Sequence, residues 1–303
     1  MSVCATLTRL GGVCSYAELR AEHSRRAIRA AVASGSIVRL ARGRYALAAV
    51  EEHRGLAHEH SAVRSHLSAA QAHGWKVKDP PEGAWLTVPR GRKMPADMAG
   101  IGRFSWAELT PAERRSGTTA PLRTVLDCAR ALPFDAALAV ADQALRTGDV
   151  GPKQLRQAAE RARGPGSAAV RRVARHADGR AANPFDSVLR AIVSEIPGLR
   201  LELQAEIAEP GLFAVVDLAD RGRDLVLEAE GFEHHGTKGG FVRDRRRYTE
   251  LTIHGWRMLP FVWIDVMRHP EWVRWCVEAL LAHDAGRPTP PLPANLPSVR
   301  DVG

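Results

Sequence analysis

Two apolar runs constrain this chain most, because each carries acids where a buried strand would ordinarily carry none. Phe213-Ala214-Val215-Val216 ends on Asp217, and Leu225-Val226-Leu227 leads into Glu228 and Glu230. Short apolar runs bounded by turn residues read as strands. The connection from Asp220 to Asp224 is short and polar, so the two strands should pair antiparallel. Alternation along a strand puts Glu228 and Glu230 on one face and lets Asp217 lie opposite the Glu228 region. Like charges so close repel, and a divalent cation removes that cost. Hard carboxylate oxygens suit magnesium or manganese, and such an ion can activate water and stabilise charge on a phosphodiester. The alternative is an exposed polar strand face whose acids pair with nearby arginines.

The flanking sequence builds a domain around these strands. Asn183-Pro184 precede a helix from Phe185 to Glu195, with Phe185, Val188, Leu189 and Ile192 on one stripe. Leu199 to Ala205 is a further strand-like run. His234-His235 follow the acids as a general base or metal ligand. Next comes a basic helix, Arg243 to Ile253, whose Arg243, Arg245, Arg246 and Arg247 are placed to meet backbone phosphates. Trp256 to Trp263 reads as an apolar strand and Pro270 to His283 as a helix. The order helix, three strands, helix, strand, helix gives an α/β sandwich with helices covering a mixed sheet.

The N-terminal 50 residues read differently. Ser15-Tyr16-Ala17-Glu18 has the form of a capping box and should start a short helix to Glu22. Ser24 caps a second helix, Arg25 to Ser34, stopped at Gly35. Ile28, Ala31 and Val32 form its apolar face, and Arg25, Arg26 and Arg29 lie off it. Ile37 to Leu40 and Arg44 to Leu47, joined at Arg42-Gly43, read as a hairpin. Helix, turn, basic helix and basic hairpin make a winged helix-turn-helix. Its second helix would enter the major groove, while Arg42 and Arg44 of the wing touch phosphate. A small helical domain with a solvated arginine face is the alternative.

Residues 51–182 read as a mixed, mostly helical connector. His58 to Ala72 looks helical, Trp85 to Val88 a strand, Pro89-Arg90-Gly91-Arg92-Lys93 a basic loop, and Thr124 to Leu132, Ala136 to Leu145 and Gln154 to Arg163 helices. His53, His58, His60, His66 and His73 lack the spacing of a metal site. Residues 286–303 are Pro-rich and read as a disordered tail. The four cysteines form no CxxC pair and fit reduced thiols. With no long apolar run and no signal-like N-terminus, a cytoplasmic chain without a membrane is expected. The net charge of +9 favours a polyanionic partner, DNA first.

Two stretches resemble known families. "YAELRAEHSRRAIRAAVASGSIVRLARGRYAL", with Pro121 to Leu132 and Asp142 to Arg146, resembles AbiEi-type antitoxins. "VVDLADRGRDLVLEAEGFEHHG…FVRDRRRYTELTIHGWRMLPFVW" resembles an uncharacterised bacterial family related to the very-short-patch-repair (Vsr-type) endonucleases and the wider PD-(D/E)xK superfamily. The second resemblance implies that Asp217 and Glu228 hold magnesium, with Asp186 from the preceding helix joining them. It also implies catalytic roles around Asp217, Glu228, Glu230 and His235. Glu230 stands where family members commonly carry Asp, two residues after the acid, at the superfamily's lysine position. Lys238 or an arginine of the basic helix would have to replace that lysine.

The whole reads as α/β (α+β): winged helix (1–50), connector (51–182), restriction-endonuclease-like domain (183–285) and tail (286–303). The function expected is magnesium- or manganese-dependent DNA cleavage. The rival is a non-catalytic DNA-binding regulator, the antitoxin of a type IV toxin–antitoxin system, partnered by a toxin or a second copy of the chain. An RNA-directed nuclease is a third reading.

Overall fold

The computed structural model describes residues 2–10, 12–93, 102–230 and 238–293, and only the backbone of residues 41, 59 and 238–244. Among the described residues there are fourteen helices and three small sheets, a mixed α/β chain. It divides into two compact units, Met1–Pro184 and Phe185–Gly303. No helix among the described residues is long and apolar enough to cross a membrane.

The first unit opens with α1 (Val3–Arg9), β1 (Val13–Ser15), α2 (Tyr16–Glu22), α3 (Arg25–Ala33), β2 (Ile37–Ala41) and β3 (Arg44–Leu47). Polar caps fix the helix starts. Ser15 Oγ accepts from Glu18 N at 3.2 Å while Glu18 Oε2 accepts from Ser15 N at 2.7 Å, and Ser24 Oγ accepts from Ala27 N at 3.1 Å. The strands pair antiparallel in the order β1-β3-β2, a small sheet against which the helices bury Leu7, Leu19 and Ile28. Val32 was expected to join that core and instead is 36% exposed, because the turn of α3 facing the core ends at Ile28 and Ala31.

The same unit continues with α4 (Ala49–Glu59), β4 (Val63–Arg64), α5 (His66–Ala72), β5 (Ala84–Pro89), β6 (Gly102–Ala107), α6 (Pro111–Ser116), α7 (Pro121–Ala131), α8 (Phe134–Arg146), α9 (Pro152–Arg161) and α10 (Ser167–His176). The single helix expected from His58 to Ala72 is two helices separated by β4. Ser61 (φ 51°) and His66 (φ 48°) take left-handed backbone that a continuing helix forbids. The sheet order is β4-β5-β6, with β6 parallel to β5 and at the edge. Gly102 opens that pairing, and a Cβ there would collide with the Ala84 carbonyl oxygen. Trp75, Val125, Cys128, Leu155 and Val170 form the core where α5, α7, α8, α9 and α10 meet. Trp75 Nε1 donates to Asp149 Oδ2 at 2.7 Å.

The second unit contains α11 (Pro184–Val193), β7 (Glu202–Glu209), β8 (Leu212–Asp220), β9 (Leu225–Glu230), α12 (Lys238–Ile253), β10 (Arg257–Val262), α13 (Trp263–Arg268) and α14 (Pro270–Asp284). The order is the one read from the sequence, except that the expected last strand residue, Trp263, begins α13. The sheet runs β10-β9-β8-β7; β7, β8 and β9 are antiparallel and β10 is parallel to β9. Ile207, Leu212, Ala214 and Val216 pack with Leu251 and Trp256. Burial of each of Ile207, Leu212, Val216 and Leu251 stabilises the fold by roughly 1.5–3 kcal/mol. Trp275 Nε1 donates to the Pro290 carbonyl at 2.9 Å, which ties the start of the Pro-rich segment to α14. The rest of the expected tail, 294–303, lies outside the described residues.

Candidate functional site

The acids of the second unit stand where strand pairing puts them. β8 and β9 pair Leu218 with Leu227 and Ala219 with Val226. Continued by one residue, that register sets Asp217 opposite Glu228, and opposed residues share a face. Asp217 Oδ2 accepts from Ala229 N at 2.9 Å, across the two strands. Its Oδ1 accepts from Gln204 Nε2 at 3.0 Å, from the other neighbouring strand. Asp217 is thus held rigidly, with each oxygen taking a donor. Alternation places Phe213 and Val215 on the same face as Asp217, and they are 68% and 40% exposed. The face is open toward the start of β8 and closed at Glu228, which is 5% exposed.

Helix α12 brings cations to this face. Arg247 Nη2 lies 3.5 Å from Glu228 Oε1, and Arg247 Nη1 donates to the Val215 carbonyl at 3.2 Å. Arg245 Nη2 donates to Glu230 Oε1 at 2.5 Å. Tyr248 sits between the two arginines, its ring 4.7 Å from the Arg245 guanidinium and 5.3 Å from that of Arg247. Burial, then the Glu228 carboxylate, then a hydrogen bond to Glu230 push the Tyr248 phenol far above its usual range, so it remains a donor. Arg246 is exposed.

Asp186 is 5% exposed on the first turn of α11. His235 and its neighbour His234 lie outside the described residues, as do the side chains of Lys238 and Arg243. Among the described residues no three His, Cys, Asp or Glu side chains converge closely enough to hold a metal ion. Sequence reasoning missed Tyr248 and Gln204. Tyr248 follows the arginine run directly, a visible signal. Gln204 carries none, since its role comes from lying across from Asp217 on β7.

In the first unit Arg25, Arg26 and Arg29 are exposed on α3, and Arg42 is exposed at the turn between β2 and β3. Gly43 supplies the positive φ of 73° that this turn needs. Arg44 is exposed as well, with its Nη1 beside Gly74, where a Cβ would come within 3.4 Å. The α3 and hairpin arginines belong to one unit and the acids to the other.

No family model matches the chain. Two curated Mycobacterium tuberculosis proteins, both described as uncharacterized (MT2308 of strain CDC 1551 / Oshkosh and Rv2248 of strain H37Rv), are each 36% identical over 163 residues. The match takes in 52% of this chain and 60% of theirs, so the chain spans about 60% of the length of the curated relatives it matches. Among solved structures, the RV2827C protein from M. tuberculosis is similar at 14% identity, covering 69% of this chain and 87% of that one, with a TM-score of 0.31. The chain is therefore distantly similar to mycobacterial proteins that are themselves uncharacterized.

Proposed function

We propose that this chain binds DNA through α3 and the β2–β3 hairpin and cuts phosphodiester bonds at the Asp217–Glu228 pair. One observation carries the reading: two carboxylates opposed on neighbouring strands, with Arg247 of the next helix beside Glu228 and Arg245 beside the adjacent Glu230. The resemblance to AbiEi-type antitoxins supports the first part and that to Vsr-like PD-(D/E)xK nucleases the second. The donor chemistry fits magnesium or manganese, because Asp217 and Glu228 offer only hard oxygens. These two would hold the ion, which when bound stabilises charge on the phosphodiester as a Lewis acid. The chain's own groups do the rest. Gln204 and the Ala229 amide fix Asp217 in one orientation. Arg247 and Arg245 supply positive charge beside the acids, the role the missing strand lysine would take, and Tyr248 donates from between them.

A second reading has its own support. Both Asp217 oxygens already accept hydrogen bonds, and arginines already face Glu228 and Glu230. A nuclease-like domain kept for shape, in a DNA-binding regulator or antitoxin, would look the same. Cleavage separates the two. Purified chain is incubated with supercoiled plasmid and with single- and double-stranded oligonucleotides, in magnesium, manganese or EDTA. The nuclease reading expects metal-dependent cuts that fall on the order of a thousandfold in Asp217→Asn and Glu228→Gln, with DNA binding retained. No cleavage of any substrate with either metal leaves the regulator reading.

A further inference from the structure

The basic turn after β5 has an aromatic partner that neither unit's proposed chemistry uses. Arg92 N donates to the Pro89 carbonyl at 3.1 Å and Gly91 has φ 82°, so Pro89-Arg90-Gly91-Arg92 closes a tight turn that only a residue tolerant of positive φ completes. Arg90, Arg92 and Lys93 are all exposed on it. Register pairs Val88 with Trp106, which brings the end of edge strand β6 alongside the turn. Trp106 Nε1 then donates to the Arg92 carbonyl at 2.9 Å. That bond pins the indole against the turn while 51% of the residue stays exposed. A buried tryptophan would have packed both ring faces, and a free one would not be fixed in place. Among the charged side chains of 84–93 and 102–109, Arg90, Arg92, Lys93 and Arg103 are cations and Glu108 is the one acid.

We propose that Trp106 with Arg90, Arg92 and Lys93 is a docking site for single-stranded DNA. Every base has a π-face, so a fixed exposed aromatic gives a sequence-tolerant stacking platform, and flanking cations take the phosphates. A duplex keeps its bases stacked on one another and offers no face to the indole, so the partner is an unpaired strand. The choice of DNA over RNA rests on the reading given under Proposed function. The stacking argument does not.

The test uses the full chain and fluorescence anisotropy with labelled dT12, rU12 and a random 20-base-pair duplex. Trp106→Ala should weaken dT12 binding by about tenfold, within the range set by loss of one base–aromatic stack. Trp106→Phe, which keeps a stacking ring, should recover most of that loss. The triple variant Arg90→Ala, Arg92→Ala, Lys93→Ala leaves the Arg92 carbonyl in place and should lower the salt slope for dT12 by up to about 2, at about 0.7 per phosphate contact. Duplex affinity should be the same in Trp106→Ala and Trp106→Phe, since a duplex offers the indole no base face. If α3 does not bind DNA, the duplex arm alone fails, and the dT12 comparison still stands. The proposal is overturned if wild type ignores dT12, if folded Trp106→Ala binds it as wild type does, or if Trp106→Ala weakens the duplex as much as dT12. Binding of rU12 more than tenfold tighter than dT12 also overturns it, in favour of an RNA partner.

Discussion

Replacing Arg247 by Ala should expose how strongly the buried acid depends on the helix beside it. The guanidinium lies 3.5 Å from Glu228 Oε1, with side-chain exposures of 30% for the arginine and 7% for the glutamate. At an effective dielectric of about 20, two unit charges at that range attract by roughly 4–5 kcal/mol. Desolvation of both groups and water reaching the arginine's exposed edge reduce the net value. Removing one partner of a fully buried pair costs about 3–5 kcal/mol. For this half-open pair a loss of about 2–3 kcal/mol is expected. Glu228→Gln keeps the shape and should cost about 1 kcal/mol. The double variant should also lose only about 1–1.5 kcal/mol, because no buried carboxylate remains to feel the loss of the guanidinium charge. The coupling energy of the cycle is then about 2 kcal/mol. Urea titrations of the four proteins measure it, with hydrogen exchange in peptides from β8 and β9 assigning the transition to the second unit. Strictly additive costs, or an Arg247→Ala loss below about 0.5 kcal/mol, would show that Arg247 only rests near Glu228 and that the charge argument is wrong.

Three further outcomes follow from the geometry. Changing Arg25, Arg26 and Arg29 together to Ala should weaken duplex binding and lower the salt slope by up to about 2.7, at about 0.9 per phosphate contact; an unchanged slope in titrations at several salt concentrations removes α3 from the interface. Burial holds His53, His66 and His73 below their ordinary value of 6.5, so between the lowered values and 6.5 the unfolded chain binds more protons than the folded one. The first unit should therefore lose stability as pH falls from about 6.5, and melting curves flat between pH 7 and pH 5 would contradict it. Burial, with Asp265 adding to it, pushes the Cys276 thiol up to about 11. Alkylation of Cys276 in the native chain at pH 8 should run on the order of a hundredfold slower than for a free cysteine, read by mass spectrometry of its peptide; labelling at the free rate would refute the shift.

How much could be read without coordinates depended on how local each cause was. Strands β8 and β9 are written in consecutive apolar residues and a short polar turn, so their antiparallel pairing and a place for Asp217 opposite the Glu228 region followed from the turn and from strand alternation. The caps at Ser15 and Ser24 were equally plain, since a hydroxyl and a glutamate three residues on announce themselves. The break between α4 and α5 was not, because left-handed backbone at Ser61 and His66 is imposed by surrounding structure on residues that do not favour it. Helix α1 and strand β6 escaped notice for related reasons. A helix of seven residues carries two turns of pattern, and a parallel edge strand depends on a partner across a long connection. Gln204 and Tyr248 became visible only when β7 and α12 were set beside the acids. Sequence spacing placed the carboxylates, and tertiary packing supplied the groups that hold them.

Gly102 has a bearing on heredity as well as on geometry. Its hydrogen lies where any side chain would drive β6 away from Ala84, four residues before the indole that rests on the Arg92 carbonyl. A change to alanine or valine there would alter no charge, no aromatic and no acid, yet would shift Trp106 off its support. Such an allele would pass for a surface-loop variant on inspection of the gene. Its damage would travel along the strand and emerge at a different codon, so selection on Trp106 would be recorded partly as intolerance at position 102.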